Sequence, residues 1–170
     1  MQDRIVLIGF MFCGKTTLGR KLAKRLDYQF FDIDKEIEKK THYTVNDIFT
    51  KFSEQNFRDI ERQVLQSLLE KNTIVVACGG GTPCFFDNMR LIKQKSTSIY
   101  LYLTPEKIFS RLKVSKKTRP LMKNIPPNEQ LQYITETLKT REHFYMQADI
   151  TINAFNPNIE KTIELLSLKK

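Results

Sequence analysis

Residues 5–16 narrow the choice of fold more than any other part of the chain. Ile5, Val6, Leu7 and Ile8 form a continuous, mostly β-branched apolar run, as expected of a strand covered on both faces. The run stops at Gly9, and Gly9-Phe10-Met11-Phe12-Cys13-Gly14-Lys15-Thr16 fits the pattern GxxxxGK[ST]. Leu18, Leu22 and Leu26 then recur four apart, the stripe of an amphipathic helix. In a strand-loop-helix unit of this kind, glycines let backbone N–H groups turn inward around phosphate oxygens. The positive end of the helix dipole adds to the attraction. Lys15 is placed to reach the β- and γ-phosphates of a nucleotide, and the Thr16 hydroxyl to ligate Mg²⁺. The motif therefore points to a nucleoside triphosphate with magnesium, and leaves the acceptor open.

The rest of the chain sets bounds on that reading. Its 170 residues suit one domain, with roughly 70% of the unfolded surface available for burial. Apolar residues at 41% and charged residues at 28% are those of a globular protein. No apolar run approaches the roughly 18 residues of a membrane span, and no small-residue cleavage site follows the N-terminal run. A cytoplasmic protein with no membrane partner is expected. Lys and Arg number 28 against 19 Asp and Glu, and the resulting +9 favours an anionic ligand. Three cysteines, Cys13, Cys78 and Cys84, form no CxxC pair, so reduced and mostly buried thiols are expected rather than zinc or disulfides.

Strand and helix patterns alternate along the whole chain. Phe30, Phe31 and Ile33 suggest a second strand, residues 73–78 a third, residues 98–103 a fourth and residues 150–152 a fifth. Residues 35–71 read as helices, with Phe57, Ile60, Val64, Leu65, Leu68 and Leu69 on one stripe. Thr104-Pro105-Glu106 has the order of a helix start, and residues 159–168 form a closing helix. Such alternation predicts an α/β fold: a five-stranded parallel sheet between helix layers, three layers in all. Residues 113–127 break the rhythm with lysines, prolines and little periodicity, which predicts an exposed, mobile loop.

In such sheets ligands gather at the carboxyl ends of the strands. Asp32 and Asp34 close the second predicted strand, where a spacing of two points both carboxylates to one side. Asp32 could hold magnesium, directly or through water, and Asp34 could orient an acceptor hydroxyl or take its proton. Either residue could instead cap the next helix. Arg58 reads as a surface charge, the usual fate of a helical arginine, and Glu61 could be its i,i+3 partner, holding the guanidinium in one pose. Gly79-Gly80-Gly81 after a buried strand fits a backbone that must approach a ligand, although a flexible turn would also use it. The open classes are a small-molecule kinase, a nucleotide switch or ATPase, and a nucleic-acid motor. Motors usually need a longer chain, and switches need guanine-reading motifs that this sequence lacks.

Six segments together carry a resemblance: GFMFCGKTTLGRKLA, FFDIDKEIE, FRDIERQVL, VVACGGGTP, TRPLM and LKTREHFYMQAD. In order and spacing they resemble the shikimate kinases, small phosphate-loop kinases with a nucleoside-monophosphate-kinase-like fold and a mobile lid. Gluconate and nucleoside-monophosphate kinases share the phosphate loop but not this set. The resemblance implies phosphorylation of the 3-hydroxyl of shikimate by ATP, with Mg²⁺, in aromatic amino-acid biosynthesis. It implies that Asp34, Arg58, Gly80 and Arg141 hold shikimate, with Gly79 and Gly81 flanking that contact. It implies that Lys15 and the main-chain amides of Phe12, Cys13, Gly14, Lys15, Thr16 and Thr17 hold the phosphates, with Mg²⁺ on Thr16 and Asp32. Arg119, in a lid spanning about 113–127, would swing onto the phosphates, so Lys15, Asp34 and Arg119 would be catalytic. Arg111 would lie against adenine, with the loop carrying Asn156 on its other side, and Glu61 would brace Arg58.

The sequence departs from that pattern at Phe12, where similar enzymes usually have glycine. His42 and His143 lie in polar helical stretches and are expected at the surface. The lysine-rich loop lacks the interleaved aromatics of a nucleic-acid patch, so no nucleic-acid partner is expected. A single domain over residues 1–170, acting as a monomer on small molecules, is the resulting expectation.

Overall fold

The computed structural model describes residues 3–115, 122 and 125–168. Five strands, β1 (Arg4–Ile8), β2 (Gln29–Asp32), β3 (Ile74–Ala77), β4 (Thr97–Tyr102) and β5 (Ile150–Asn153), form one sheet. Its order is β2-β3-β1-β4-β5, and every neighbouring pair is parallel. The intervening helices are α1 (Lys15–Leu26), α2 (Ile33–Thr41), α3 (Val45–Lys51), α4 (Glu54–Leu69), α5 (Asn88–Lys95), α6 (Pro105–Val114), α7 (Gln130–Tyr145) and α8 (Ile159–Ser167). Helices α1 and α8 touch one another in one layer, and α4 packs with α5 in another. The five-stranded α/β reading therefore holds.

Central strands β1 and β3 are buried along almost their whole length, which explains their unbroken apolar sequence. Helix α1 turns Leu18, Leu22 and Ala23 into the core, and α4 turns in Val64, Leu65, Leu68 and Leu69. Among the described residues, no helix is long and apolar enough to cross a membrane.

Two local expectations change. Ile33 does not extend β2; it opens α2 and is fully buried with Ile37, four residues on. The Phe31–Ile33 spacing fits a strand and the Ile33–Ile37 spacing fits a helix, and burial of the second pair decides it. Asp32 and Asp34 thus do not alternate along one strand: Asp32 is the last strand residue and Asp34 lies in the first turn of α2. The stretch 35–71 breaks into three helices. Thr44 starts α3 with a reciprocal capping box to Asp47, and Ser53 caps α4 by accepting from the Asn56 N–H.

Sheet register aligns the strand ends that matter. Leu7 pairs with Ala77, and Asp32 pairs with Ala77 from the other side. Gly9, Asp32 and Cys78 therefore leave one edge of the sheet together.

Candidate active site

The phosphate loop is shaped by backbone conformations that side chains rarely adopt. Gly9 has φ of 136°, and a Cβ there would lie 2.7 Å from the Leu101 carbonyl oxygen. Gly14 has φ of 99° and forms the left-handed entry to α1. Phe12 is also left-handed, at φ 62°, although it carries a large side chain. Lys15 is buried and its Nζ donates to the carbonyls of Gly9 and Phe10, each at 2.8 Å, with the Cys13 Sγ at 3.6 Å. The ammonium thus lies along the inside of the loop. Thr16 Oγ1 donates to Asp32 Oδ2 at 2.8 Å. Asp32 stands at the N-cap position of α2, yet its side chain caps nothing and turns to Thr16 instead. A hydroxyl and a carboxylate so joined are hard oxygen donors of the kind that Mg²⁺ takes beside phosphate.

A cleft of about 410 Å³ runs from this loop to a second group of residues. Phe12, Gly14, Lys15, Thr16 and Thr17 line its one side, with Asp32 beside them. Asp34, Arg58, Gly79, Gly80, Gly81 and Arg141 line the other. Residues from the ends of three strands and from α2, α4 and α7 thus meet around one space.

Arg58 is only 3% exposed, contrary to the usual fate of a helical arginine. Its Nη1 donates to Glu61 Oε2 at 2.9 Å, and its Nε and Nη2 donate to Glu54 Oε1 at 3.2 and 2.8 Å. The Phe85 ring covers the guanidinium at 3.9 Å from its centroid. Of five guanidinium N–H groups, three donate to carboxylates among the described residues. Glu61 is fully buried, and its second oxygen accepts from the Thr82 hydroxyl at 2.6 Å. Burial pushes its carboxyl above the ordinary range, while Arg58 and the Thr82 hydroxyl pull it back toward ionisation.

This pair also explains the glycines. A Cβ at Gly81 would lie 2.8 Å from Arg58 Nη2, and one at Gly79 would lie 2.9 Å from Glu61 Oε1. The triple glycine leaves room for a buried ion pair as much as for a ligand. Arg141 stands across from it, its guanidinium over the Phe10 ring at 5.8 Å and near Gly80.

On the nucleotide side, Arg111 joins two loops. Its Nη1 donates to the carbonyls of Phe12 and Cys13, each at 3.1 Å, and its Nη2 to that of Ala154 at 2.9 Å. Asn156 is exposed and outside the cleft lining, and Arg111 Nη2 also reaches the Phe155 carbonyl just before it at 3.4 Å. Cys13 is buried beneath the loop rather than facing the cleft. Arg119, Pro120 and Leu121 lie outside the described residues. Val114 and Ser115, where the expected lid begins, line the cleft. His42 and His143 are exposed, as expected. The three cysteines are free, and burial pushes the Cys78 thiol well above its ordinary range.

Several contributors went unread in the sequence. Glu54 stands four residues before Arg58, a helical ion-pair spacing that could have signalled it. Phe49 and Phe57 line the cleft with ring centroids 4.6 Å apart, but apolar residues on a helical stripe look the same as core. Thr82 and Phe85 reach Glu61 and Arg58 from across the fold, and no local pattern marks them.

Comparison with known proteins agrees with this arrangement along the whole chain. The family model for shikimate kinase matches residues 11–167. A shikimate kinase of Bacteroides thetaiotaomicron is 36% identical over 173 residues, covering 97% of this chain and 99% of that protein. One from Azobacteroides pseudotrichonymphae is 41% identical, with 98% of each chain covered. Among solved structures, a shikimate kinase from Acinetobacter baumannii in complex with shikimate has a TM-score of 0.88 at 35% identity, covering 100% of this chain and 96% of that one. The match runs over nearly the whole chain rather than over the phosphate loop alone, and on that extent the chain belongs to the shikimate kinase family.

Proposed function

We propose that this chain transfers the γ-phosphoryl group of ATP to the 3-hydroxyl of shikimate, giving ADP and shikimate 3-phosphate. One observation carries the reading: the phosphate loop and the set Asp34, Arg58, Gly80 and Arg141 line a single cleft. A phosphoryl group held by the first would face an acceptor held by the second. The Acinetobacter relative, solved with shikimate, supports the choice of acceptor.

The residues divide the work. Arg58 and Arg141 grip the acceptor carboxylate through charge-assisted hydrogen bonds, and Glu61 with Phe85 keeps Arg58 in one pose. Asp34 orients the ring hydroxyls and draws the proton from the attacking one. Lys15 and the loop amides bind the phosphate oxygens, and Arg111 ties that loop to the one after β5. Thr16 and Asp32 would hold Mg²⁺, which spreads phosphate charge when bound. Arg119, from the lid over about 113–127, adds positive charge at the transferring group and helps to exclude water. A single domain working as a monomer is part of this proposal.

The test is ADP release from purified protein with ATP and Mg²⁺, with and without shikimate. Release should depend on shikimate and stay at background with gluconate. Equal release without an acceptor, or faster release with gluconate, would reject the assignment.

A further inference from the structure

Tyr145 ends α7 one turn after Arg141 and is fully buried. Burial alone accounts for the ring, which packs on Tyr100 with centroids 5.1 Å apart. It does not account for the hydroxyl, since leaving a buried phenol without a partner costs free energy. Tyr145 finds one: its O–H donates to the Gly80 carbonyl at 2.5 Å, with the Arg141 guanidinium charge nearby. Tyr100, in the same stack, has a buried hydroxyl with no partner among the described residues. The bond to Gly80 therefore belongs to Tyr145 specifically and is not a general consequence of the aromatic cluster.

The consequence follows from peptide geometry. In a trans peptide the C=O of one residue and the N–H of the next point in opposite directions, and no cis bond occurs among the described residues. With the Gly80 carbonyl turned to α7, the Gly81 N–H faces away from α7, and both glycines line the cleft. Glycine peptides flip easily because no Cβ opposes the rotation. An outside bond is needed to hold one orientation.

We infer that Tyr145 is a positioning residue of the acceptor site, holding the Gly80–Gly81 peptide in the pose that receives the acceptor beside Arg141. The bond from the Tyr145 hydroxyl to the Gly80 carbonyl ties α7 to a strand-end loop. This assignment deepens the proposed shikimate site and rests on it.

The experiment is Tyr145→Phe, which keeps the ring and removes only the hydroxyl, with Tyr100→Phe as its control. In Tyr145→Phe the KM for shikimate should rise about fivefold, the loss of one net hydrogen bond, with ATP KM and kcat unchanged. Calorimetric titration of shikimate should show the same weakening. Tyr100→Phe should match the parent protein in both assays. An unchanged shikimate KM in Tyr145→Phe would overturn the inference. So would a parallel loss of kcat and ATP affinity, or an equal effect in Tyr100→Phe, since each describes a packing role. If the parent protein itself fails to bind shikimate, the proposed function falls first, and the two failures remain distinct.

Discussion

Phe12 holds φ of 62° in a loop whose other left-handed positions are glycines. A residue with a Cβ in that region is strained by roughly 1–2 kcal/mol. Replacing Phe12 by glycine alone would not measure this, because the ring is partly buried against the core and its removal has a cost of its own. Comparing Phe12→Gly with Phe12→Ala removes that difficulty, since both lose the ring and only alanine keeps the strain. Glycine's looser unfolded chain returns about 0.4–1 kcal/mol of the advantage. Phe12→Gly should therefore be the more stable of the two by about 1 kcal/mol in urea unfolding. Equal midpoints, or a more stable alanine variant, would mean that the loop relaxes to a different backbone when the ring is gone. The same residue shows a limit of sequence reading: the pattern Gly9 to Thr16 announces a phosphate loop, but φ at Phe12 depends on how the loop closes over Lys15.

At the scale of elements, local preference and packing give opposite forecasts for Gly19 in the middle of α1. Helix propensity favours alanine there by about 1 kcal/mol. A Cβ at that position would lie 2.5 Å from Phe30 Cε2 and 3.0 Å from Leu7 Cδ1, so α1 lies directly on β1 and β2 at this point. Overpacking of a tight core contact costs typically 1–3 kcal/mol, which exceeds the propensity gain at most of that range. Gly19→Ala should lower stability, read as a fall in thermal midpoint; a rise would show that Phe30, at the sheet edge, swings aside. This contest also explains which elements were legible. β1, β3 and β4 are covered on both faces and read as apolar runs, and α1 and α4 show long stripes with one period. Ile33 was ambiguous because two periods share it, and only burial against Ile37 chooses the helix. On the acceptor side the charged residues were legible one by one. Their mutual bracing was not, because Thr82 and Phe85 lie more than twenty residues from the side chains they hold.

For the molecule as a whole, the acceptor site ties together parts of the chain that are far apart in sequence. Arg58 comes from α4, the glycines from the end of β3 and Arg141 from α7. A ligand gripped by all three binds the folded state and has nothing to bind in the unfolded one, so it must raise the unfolding temperature. At a concentration one hundred times its Kd, shikimate should add about 2.7 kcal/mol. For a chain of this size that corresponds to a rise of about 5–11 °C. Arg141→Ala separates the grip from the fold better than Arg58→Ala, which would leave fully buried Glu61 without its ion-pair partner. Losing a charge-assisted carboxylate bond of about 2 kcal/mol weakens binding about thirtyfold. At the same shikimate concentration, the added stability should then fall to about 1 kcal/mol and the rise to a few degrees. Each protein is compared with its own ligand-free midpoint, so a change in intrinsic stability cancels. ADP, whose phosphates the loop is proposed to hold, should shift the variant as much as the parent. A full shikimate shift in Arg141→Ala would remove Arg141 from the carboxylate grip, and a lost ADP shift would show that the two sides of the cleft are not independent.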